Sequence, residues 1–374
     1  MECKEIVKLM EQLAPVAYKE DWDNVGLLVG RDDKEVKKVM IALDPSEDVI
    51  NQAVKEEVDM LITHHPLIFS PLKRINCNDY IGRKVYKLAS HDIAYYAAHT
   101  NMDAAVMADV AATKLEMLNV SPLSVTYKKK MYKLVVYVPE QAANKVRDAI
   151  TKAGAGFTGN YSHCTFNIDG MGTFKPCEGA NPYIGEINEL TRVNEVRVES
   201  IITDEIKEKV IKAMLKVHPY EEVAYDVYEL DNSAYEKGIG KKGYLPNEMT
   251  LKECANLVKD RFCINNVMIA GNPLKKIVTV AICPGAGKSL IKNAIAAKTD
   301  LLITGDIDHH SALDAVEQGL SIIDATHFGT EHFVVEYIRD YLVKSVYKTD
   351  DDIFSNYSKL EVVMAQEQPP FQVI

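Results

Sequence analysis

The stretch "VKKVMIALDPSEDVINQAVKEEVDMLITHHP", residues 36–66, contains the patterns of a strand, an amphipathic helix and a second strand in succession. The apolar run before Pro45 predicts the first strand, and Ser46 is a suitable N-cap for the helix that follows. The second strand runs through "DMLITHH" into two histidines, and Pro66 prevents it from continuing. This order indicates one β-α-β unit of an α/β fold.

The next two segments repeat the alternation. The pattern of "YIGRKVYKLASHD" (80–92) is helical, and "IAYYAAHTNMD" (93–103) reads as a strand that ends in polar residues. The resulting β-α-β-α-β order is typical of a parallel sheet covered by helices. Ligands bind such sheets outside the carboxyl ends of the strands. Four side chains fall at these ends: His64, His65, His99 and Asp103.

A distant region of the chain matches this one. Residues 274–310 align with residues 36–66 strand for strand and helix for helix, and residues 323–331 align with residues 96–103. The pair His-x-x-x-Asp in the first region becomes His-x-x-x-Glu in the second. The match predicts a divergent internal duplication. Two similar halves would face each other, and the residues at the strand ends of both would form one site.

The segment between the halves has a different pattern. It begins at the basic run "YKKKMYK" and continues in the order β-α-β-β-α-β, which predicts a ferredoxin-like α+β domain. We therefore expect an α/β protein in which residues 1–126 and 240–374 form one duplicated domain with largely parallel sheets. Residues 127–239 are expected to form the ferredoxin-like insert.

Composition and charge narrow the classes of partner. The 374 residues carry a net charge of -11, with a pI near 5.5. This disfavours nucleic acid as the main partner, because phosphate binding needs a basic face. The chain contains no apolar run of about eighteen residues, which a membrane span would need, and its first residues lack a signal-peptide pattern. A cytoplasmic protein with a small-molecule substrate or ligand is expected.

Five side chains are candidate metal ligands: His64, His65, Asp103, His327 and Glu331. Taken singly, each could be an ordinary turn or surface residue. Together they supply imidazole and carboxylate donors, which suit Zn, Fe or Mn. Five such donors are too many for one open tetrahedral site, but they suit two ions about 3.5–4 Å apart that share a carboxylate. The seven cysteines are scattered and never spaced C-x-x-C, so thiolate ligands are not expected.

The motifs "EDWDNVGLLVG", "LITHHPLIF", "HTNMDAA" and "THFGTEHF" resemble the Nif-three-like family, widely described as type 2 GTP cyclohydrolase I homologues. The resemblance covers both halves and implies two divalent metal ions per chain. Zinc is the first candidate, and manganese and iron are the alternatives. It implies that His65 and Asp103 bind one ion and that His64 and His327 bind the other. Glu331 would contact both.

The resemblance extends to the insert. Its segment "VHPYEEVAYDVYEL" (217–230) is similar to the trimeric ferredoxin-like modules of divalent-cation tolerance (CutA-like) and nitrogen-regulatory PII-type proteins. The long members of the family carry such an insert. The resemblance therefore implies a homo-oligomer, a toroidal hexamer with its metal sites facing an inner cavity.

Three more histidines lie near the predicted strand ends. His99 could orient Asp103 or a metal-bound water from a position behind the metals, or it could simply cap its strand. His309 and His310 stand where the second half aligns with the histidine pair of the first. They could contact substrate or shuttle protons near neutral pH, or they could be exposed turn residues.

Two other motifs favour structural roles. Trp22, the only tryptophan, is interpreted as an anchor for its loop, although the adjacent Asp23 and Asn24 could reach the metal cavity. The glycine-rich "CPGAGKSL" (283–290) fails the P-loop pattern, because Ile282 stands where the first glycine is required. We expect a strand-to-helix turn there.

Two hypotheses for function follow. The first is a metal-dependent hydrolase that acts on a nucleotide-like or phosphorylated small molecule, because clustered metal ions lower the pKa of bound water and provide a nucleophile. The second is a non-enzymatic protein that binds or handles metal for regulation, with the PII-like insert as its sensing or oligomerisation module. A substrate-sized cavity beside the metal ligands would favour the first.

Overall fold

The computed structural model describes residues 1–232, 235–347 and 360–372. The chain forms two compact units. The first comprises Met1–Tyr127 and Lys237–Ile374, and the second comprises Lys128–Glu236.

The strands of both units, in chain order, are β1 (Gly26–Val29), β2 (Lys38–Ala42), β3 (Met60–Thr63), β4 (Ala94–Ala97), β5 (Leu118–Lys128), β6 (Met131–Pro139), β7 (Thr165–Phe174), β8 (Thr191–Thr203), β9 (Tyr225–Leu230), β10 (Glu236–Thr250), β11 (Met268–Ala270), β12 (Lys276–Ala286), β13 (Leu301–Gly305), β14 (Ser321–Asp324) and β15 (Glu361–Met364).

The helices are α1 (Cys3–Leu13), α2 (Glu47–Lys55), α3 (Tyr80–Ser90), α4 (Thr100–Met102), α5 (Ala108–Lys114), α6 (Ala143–Lys152), α7 (Lys207–Val217), α8 (Leu251–Phe262), α9 (Ile291–Ala296), α10 (His309–Glu317), α11 (His327–Glu331) and α12 (Phe333–Tyr347). A π-helical turn, Asp103–Met107, joins α4 to α5. None of the helices in the described ranges is long and apolar enough to cross a membrane.

The first unit contains two sheets. One has the strand order β1-β4-β3-β2-β15, in which all neighbours except β1 and β4 run parallel. The other has the order β11-β14-β13-β12-β10-β5, with β12, β13 and β14 parallel. The mixed α/β class and the parallel pairing of the strands between residues 36 and 103 are confirmed. Both sheets direct the carboxyl ends of three parallel central strands towards loops that carry polar side chains.

Local sequence explains the first β-α-β unit. The side chain of Ser46 accepts a hydrogen bond from the N–H of Val49, which confirms it as the N-cap of α2. All four residues of β3 are buried, as expected for a strand covered by helices on both faces. The strand ends because the chain must turn after the two histidines that follow it.

The two halves are interlocked. Strand β15 leaves the C-terminal half and pairs in parallel with β2 of the N-terminal half. Helix α12 also comes from the C-terminal half, yet its Val334, Ile338 and Leu342 belong to the core of the first sheet. Phe333 packs against the cores of both sheets. This exchange joins the N-terminal and C-terminal segments in one compact unit.

The second unit has its own sheet and core. Its elements follow the order β-α-β-β-α-β, and its antiparallel sheet has the order β7-β8-β6-β9. Helices α6 and α7 pack on this sheet through apolar side chains such as Val146, Ile150 and Val210. The unit thus has the element order that the sequence predicts for this segment.

A buried tyrosine fixes the turn that carries the first histidine pair. The hydroxyl of Tyr95 accepts a hydrogen bond from the N–H of Leu67 at 2.8 Å and lies 2.6 Å from Thr63 Oγ1. It also donates to the carbonyl oxygen of His65 at 3.0 Å. The next residue, Tyr96, is equally buried, but its hydroxyl has no hydrogen-bond partner among the described residues.

These neighbouring tyrosines give a matched test. We expect Tyr95→Phe to lower the free energy of unfolding by about 1–3 kcal/mol, because it leaves the buried N–H of Leu67 without an acceptor. Tyr96→Phe removes a hydroxyl that makes no bond and should change stability little. Urea unfolding of the two variants checks this, and equal effects would mean that Tyr95 does not hold the turn.

Candidate metal centre

The five predicted ligands lie in the first unit, just beyond the ends of parallel strands. His64 and His65 directly follow β3, and Asp103 begins the π-helical turn. His327 and Glu331 are the first and last residues of α11, so that one helical turn brings their side chains together. The fold therefore brings donors from distant segments of the chain together.

Glu331 lies between imidazoles of the two halves. Its Oε2 is 3.2 Å from His65 Nε2 and 3.0 Å from His327 Nε2, and these two nitrogens are 3.1 Å apart. Its Oε1 is 3.8 Å from His64 Nε2, which is itself 3.5 Å from Asp103 Oδ1. One nearly buried carboxylate thus adjoins donor atoms on two sides.

Carboxylates hold the outer nitrogens of two of these imidazoles. His65 Nδ1 donates to Asp44 Oδ1 at 2.8 Å, and His327 Nδ1 donates to Asp306 Oδ2 at 2.7 Å. An ionised carboxylate only accepts hydrogen bonds, so the Nδ1 atoms carry the protons. In the neutral tautomer, each Nε2 then presents a lone pair to the cluster. This carboxylate–histidine arrangement commonly supports metal ligands.

His64 is fully buried, and its ring has the same arrangement of donor and acceptor nitrogens. Its Nδ1 donates to the carbonyl oxygen of Ala98 at 2.8 Å, which leaves a lone pair on Nε2. Burial lowers the pKa of His64 to about 3, so the ring is neutral. Neither its Nε2 nor Asp103 Oδ1 has a hydrogen-bond partner within the described ranges. Two buried acceptors that face each other need a cation or a proton between them.

The electrostatics of the cluster favour added positive charge. The hydrogen bond to Glu331 raises the pKa of His327 to about 9, and burial opposes this only in part. Burial lowers the pKa of His65, but the carboxylates of Asp44 and Glu331 outweigh it and raise that pKa to about 10. Burial and the charge of Glu331 raise the pKa of Asp103 to about 7. A divalent cation would satisfy the same demand for positive charge as the protons.

The donor atoms form three overlapping sets, in each of which the atoms lie within 4.8 Å of one another: His64, His65 and His99; His65, His327 and Glu331; His64, Asp103 and Glu331. The last two sets share Glu331, and each set could hold a metal ion. The distances pair His65 with His327 and His64 with Asp103. This differs from the pairing that the resemblance implies.

His99 faces the cluster. Its ring centroid is 5.4 Å from that of His64 and 5.6 Å from that of His65. Its Nδ1 donates to Asp23 Oδ1 at 2.9 Å. Burial raises the pKa of Asp23, but hydrogen bonds, above all from His99, outweigh it and hold that pKa at about 2. The sequence suggested that His99 orients Asp103 or a metal-bound water, or caps its strand. In the structure His99 shares a donor set with His64 and His65, and Asp23 holds its Nδ1.

The other histidine pair lies apart from these donors. His309 and His310 begin α10, and both are exposed. Their rings contact each other at 5.3 Å, and neither residue belongs to a donor set within the described part of the chain. The structure therefore does not bring them into the cluster.

Sequence reasoning missed two acidic residues that support the site. Asp44 follows β2 and Asp306 follows β13, so each stands directly beyond the carboxyl end of a buried parallel strand. The signal was present in the sequence, as "ALDP" and "ITGD". An acid at this position of an α/β sheet is well placed to orient a neighbouring histidine.

The glycine-rich turn that failed the P-loop pattern begins in the last residues of β12, and its Gly285 packs against Glu331. Gly285 has φ +69°, and a Cβ at this position would overlap Glu331 Oε1. Its N–H donates to Thr330 Oγ1 at 2.9 Å, which fixes the turn against α11. The turn thus confines Glu331, and only glycine leaves the space that the carboxylate occupies.

Known proteins share this sequence and fold. The model of the family Duf34/NIF3 (NGG1p interacting factor 3) matches residues 1–360. A Bacillus subtilis protein named "GTP cyclohydrolase 1 type 2 homolog" is 44% identical over 327 residues, which are 87% of this chain and 88% of that protein.

Solved structures extend the likeness to the whole chain. The crystal structure of a Bacillus cereus protein related to NIF3 has a TM-score of 0.85 at 39% identity, and the match covers 100% of this chain and 99% of that one. A Staphylococcus aureus protein has a TM-score of 0.79 at 27% identity, with the same coverage.

A substitution in the glycine-rich turn tests whether it positions the carboxylate. We expect Gly285→Ala to weaken metal binding by about tenfold or more, because the new methyl group displaces Glu331. Gly319→Ala is the matched control. Gly319 also has a positive φ, of +87°, but has no atom within 4 Å of the added Cβ, so it carries the same backbone strain of roughly 1–2 kcal/mol. Elemental analysis after dialysis against metal buffers compares the two, and equal metal content would contradict the assignment.

Proposed function

The chain belongs to the Duf34/NIF3 family, and from that premise we propose that it binds two divalent metal ions and hydrolyses a nucleotide-like or otherwise phosphorylated small molecule. The ligands in this proposal are His64, His65, Asp103, His327 and Glu331. Zinc is the first candidate metal, with manganese or iron as alternatives, because imidazole and carboxylate donors suit all three.

One observation carries the proposal. Three Nε2 atoms and two carboxylates converge on one another, while the protons of the imidazoles point outwards to acceptors. His65 and His327 hydrogen-bond to Glu331, whereas His64 Nε2 and Asp103 Oδ1 face each other without a hydrogen-bond partner in the described ranges. Cations would replace the protons that His65 and His327 share with Glu331 and would satisfy the pair of His64 and Asp103, so Glu331 belongs to both positions.

A cavity beside the ligands favours a small-molecule substrate. It has a volume of about 560 Å³, and its wall includes His65 together with Asp44, Tyr80 and Lys84. Cavities of about 300–1,000 Å³ are typical of sites for small molecules and cofactors. Of the five proposed ligands, His65 is the one that lines this cavity.

The residues around the cluster suggest how the reaction proceeds. When bound, the metal ions would supply Lewis-acid activation of water and of a substrate oxygen. Asp44 and Asp306 hold the rings of His65 and His327 in the tautomer that leaves Nε2 free. His99 lies outside the two sets that share Glu331, and with Asp23 behind Nδ1 its Nε2 is available to accept a proton from the attacking water.

The second unit supports a regulatory alternative. We take it to be a ferredoxin-like module of the PII and CutA type that assembles the homohexamer or senses a ligand. A cavity of about 380 Å³ in this unit is lined by Phe174, Tyr183, Tyr220 and three glutamates. A sensing module would bind its ligand in such a cavity. The metal centre of the first unit would then respond to that ligand or stabilise the fold.

The bridging carboxylate provides the test. We expect about two metal ions per purified chain, and we expect Glu331→Gln to lose both metal and hydrolysis, because both cation positions share this residue. Glu317→Gln, an exposed acid on α10 of the same unit, is the matched control and should retain both. Elemental analysis with a panel of nucleotides and phosphoesters gives the readout.

The two hypotheses separate in this experiment. Unchanged metal content in Glu331→Gln would show that the site lies elsewhere. Full metal content in the wild-type protein, with no turnover of any compound in the panel, would replace the hydrolase with the regulatory alternative.

A further inference from the structure

Two large aromatic side chains lie exposed beside the metal centre. Trp22 is 56% exposed and Phe69 is 53% exposed. Their ring centroids are 5.5 Å apart, with an angle of 38° between the rings. Exposed apolar side chains are common singly, but a contiguous aromatic pair at a candidate site indicates a binding surface. We refer to this pair as the aromatic platform.

The platform is held in place by buried polar contacts. Asp23, next to Trp22, accepts hydrogen bonds from the N–H of Thr100 at 3.0 Å and from its hydroxyl at 2.6 Å. Asn24 Nδ2 donates to the carbonyl oxygen of Ile68 at 2.6 Å, which ties the loop of Trp22 to the loop of Phe69. Both rings are thus presented from loops that are fixed to each other and to the metal centre.

The platform adjoins the donors directly. The ring of Trp22 meets the ring of His99 edge-on, with 6.0 Å between the centroids. His99 is in turn 5.4 Å from His64 and 5.6 Å from His65, again between centroids. A planar group that lies on Trp22 would therefore have its far edge near the imidazoles of the cluster.

We propose that the aromatic platform stacks a planar heteroaromatic ring of the substrate, such as a nucleobase, and so directs the bond to be hydrolysed towards the metal centre. This inference rests on the proposed function and decides between its two substrate classes. It selects nucleotide-like compounds over phosphoesters that lack a ring, because stacking contributes to binding only where the ligand has a π-face.

The sequence supplies a direct probe. Trp22 is the only tryptophan of the chain, so the tryptophan fluorescence of the protein comes from this side chain alone. We expect AMP and GMP to quench it saturably in the metal-loaded full-length protein. Ribose 5-phosphate carries the same phosphate without the base and should not quench it. Calorimetric titration of the same ligands gives the affinities independently of fluorescence.

Substitutions separate stacking from loss of structure. We expect Trp22→Ala to weaken AMP binding about tenfold, which corresponds to about 1.4 kcal/mol, and to leave the binding of ribose 5-phosphate unchanged. Trp22→Phe keeps a ring and should retain most of the affinity. Tyr86→Ala removes a similarly exposed aromatic residue, 55% exposed on α3, and should have no effect.

Each result has one meaning for the platform. Equal affinities for AMP and ribose 5-phosphate, or equal affinities of Trp22→Ala and Tyr86→Ala, would overturn the inference. So would a change in oligomeric mass of Trp22→Ala without a change in AMP affinity, since the pair would then be a contact between copies of the chain.

Binding of AMP through Trp22 without hydrolysis of any nucleotide would uphold the platform and reject the hydrolase. Hydrolysis of a phosphoester that lacks a ring, at a rate that Trp22→Ala does not change, would uphold the hydrolase and reject the platform.

Discussion

The structure of the first unit depends on a demand for positive charge. The imidazoles of His64, His65 and His327 face the carboxylates of Asp103 and Glu331, and both His64 Nε2 and Asp103 Oδ1 are buried without a hydrogen-bond partner in the described structure. Such an arrangement destabilises a fold unless positive charge is supplied, because a buried acceptor pays the full cost of lost hydration. Two divalent cations would supply that charge and would connect the two halves of the chain through their ligands.

The fold can hold this cluster because its N-terminal and C-terminal segments are interlocked. The donors stand at strand ends of two different sheets, which could separate if each half folded alone. Strand β15 adds the end of the chain to the first sheet, and α12 fills the core of that sheet from the second half. Phe333, two residues after Glu331, packs against both cores. The residue that adjoins both sets of donors is thus anchored where the two cores meet.

Sequence reasoning recovered what depends on local pattern. Three recovered features are short-range: the strand that ends just before His64, the N-cap Ser46 and the His-x-x-x-acid spacing. Each can be recognised from residue type and periodicity alone. The exchange of β15 and α12 could not be found in this way, because parallel pairing of distant segments leaves no local signal. The role of Gly285 was missed for a related reason. Its positive φ is a property of the turn, but the Glu331 oxygen that needs the space comes from a distant segment.

Side-chain length explains why one carboxylate rather than two belongs to both donor sets. Alignment places Asp103 opposite Glu331 and His99 opposite His327. Glutamate is longer by one methylene, and beside a glycine that leaves room for it, its two oxygens reach imidazoles of both halves. Asp103 has the shorter side chain and belongs to only one of the two sets. His99 lies outside the two sets that share Glu331, with Asp23 behind its Nδ1 and Trp22 beside its ring. The longer acid therefore joins two sets of donors, whereas the shorter one stays in a single set with His64.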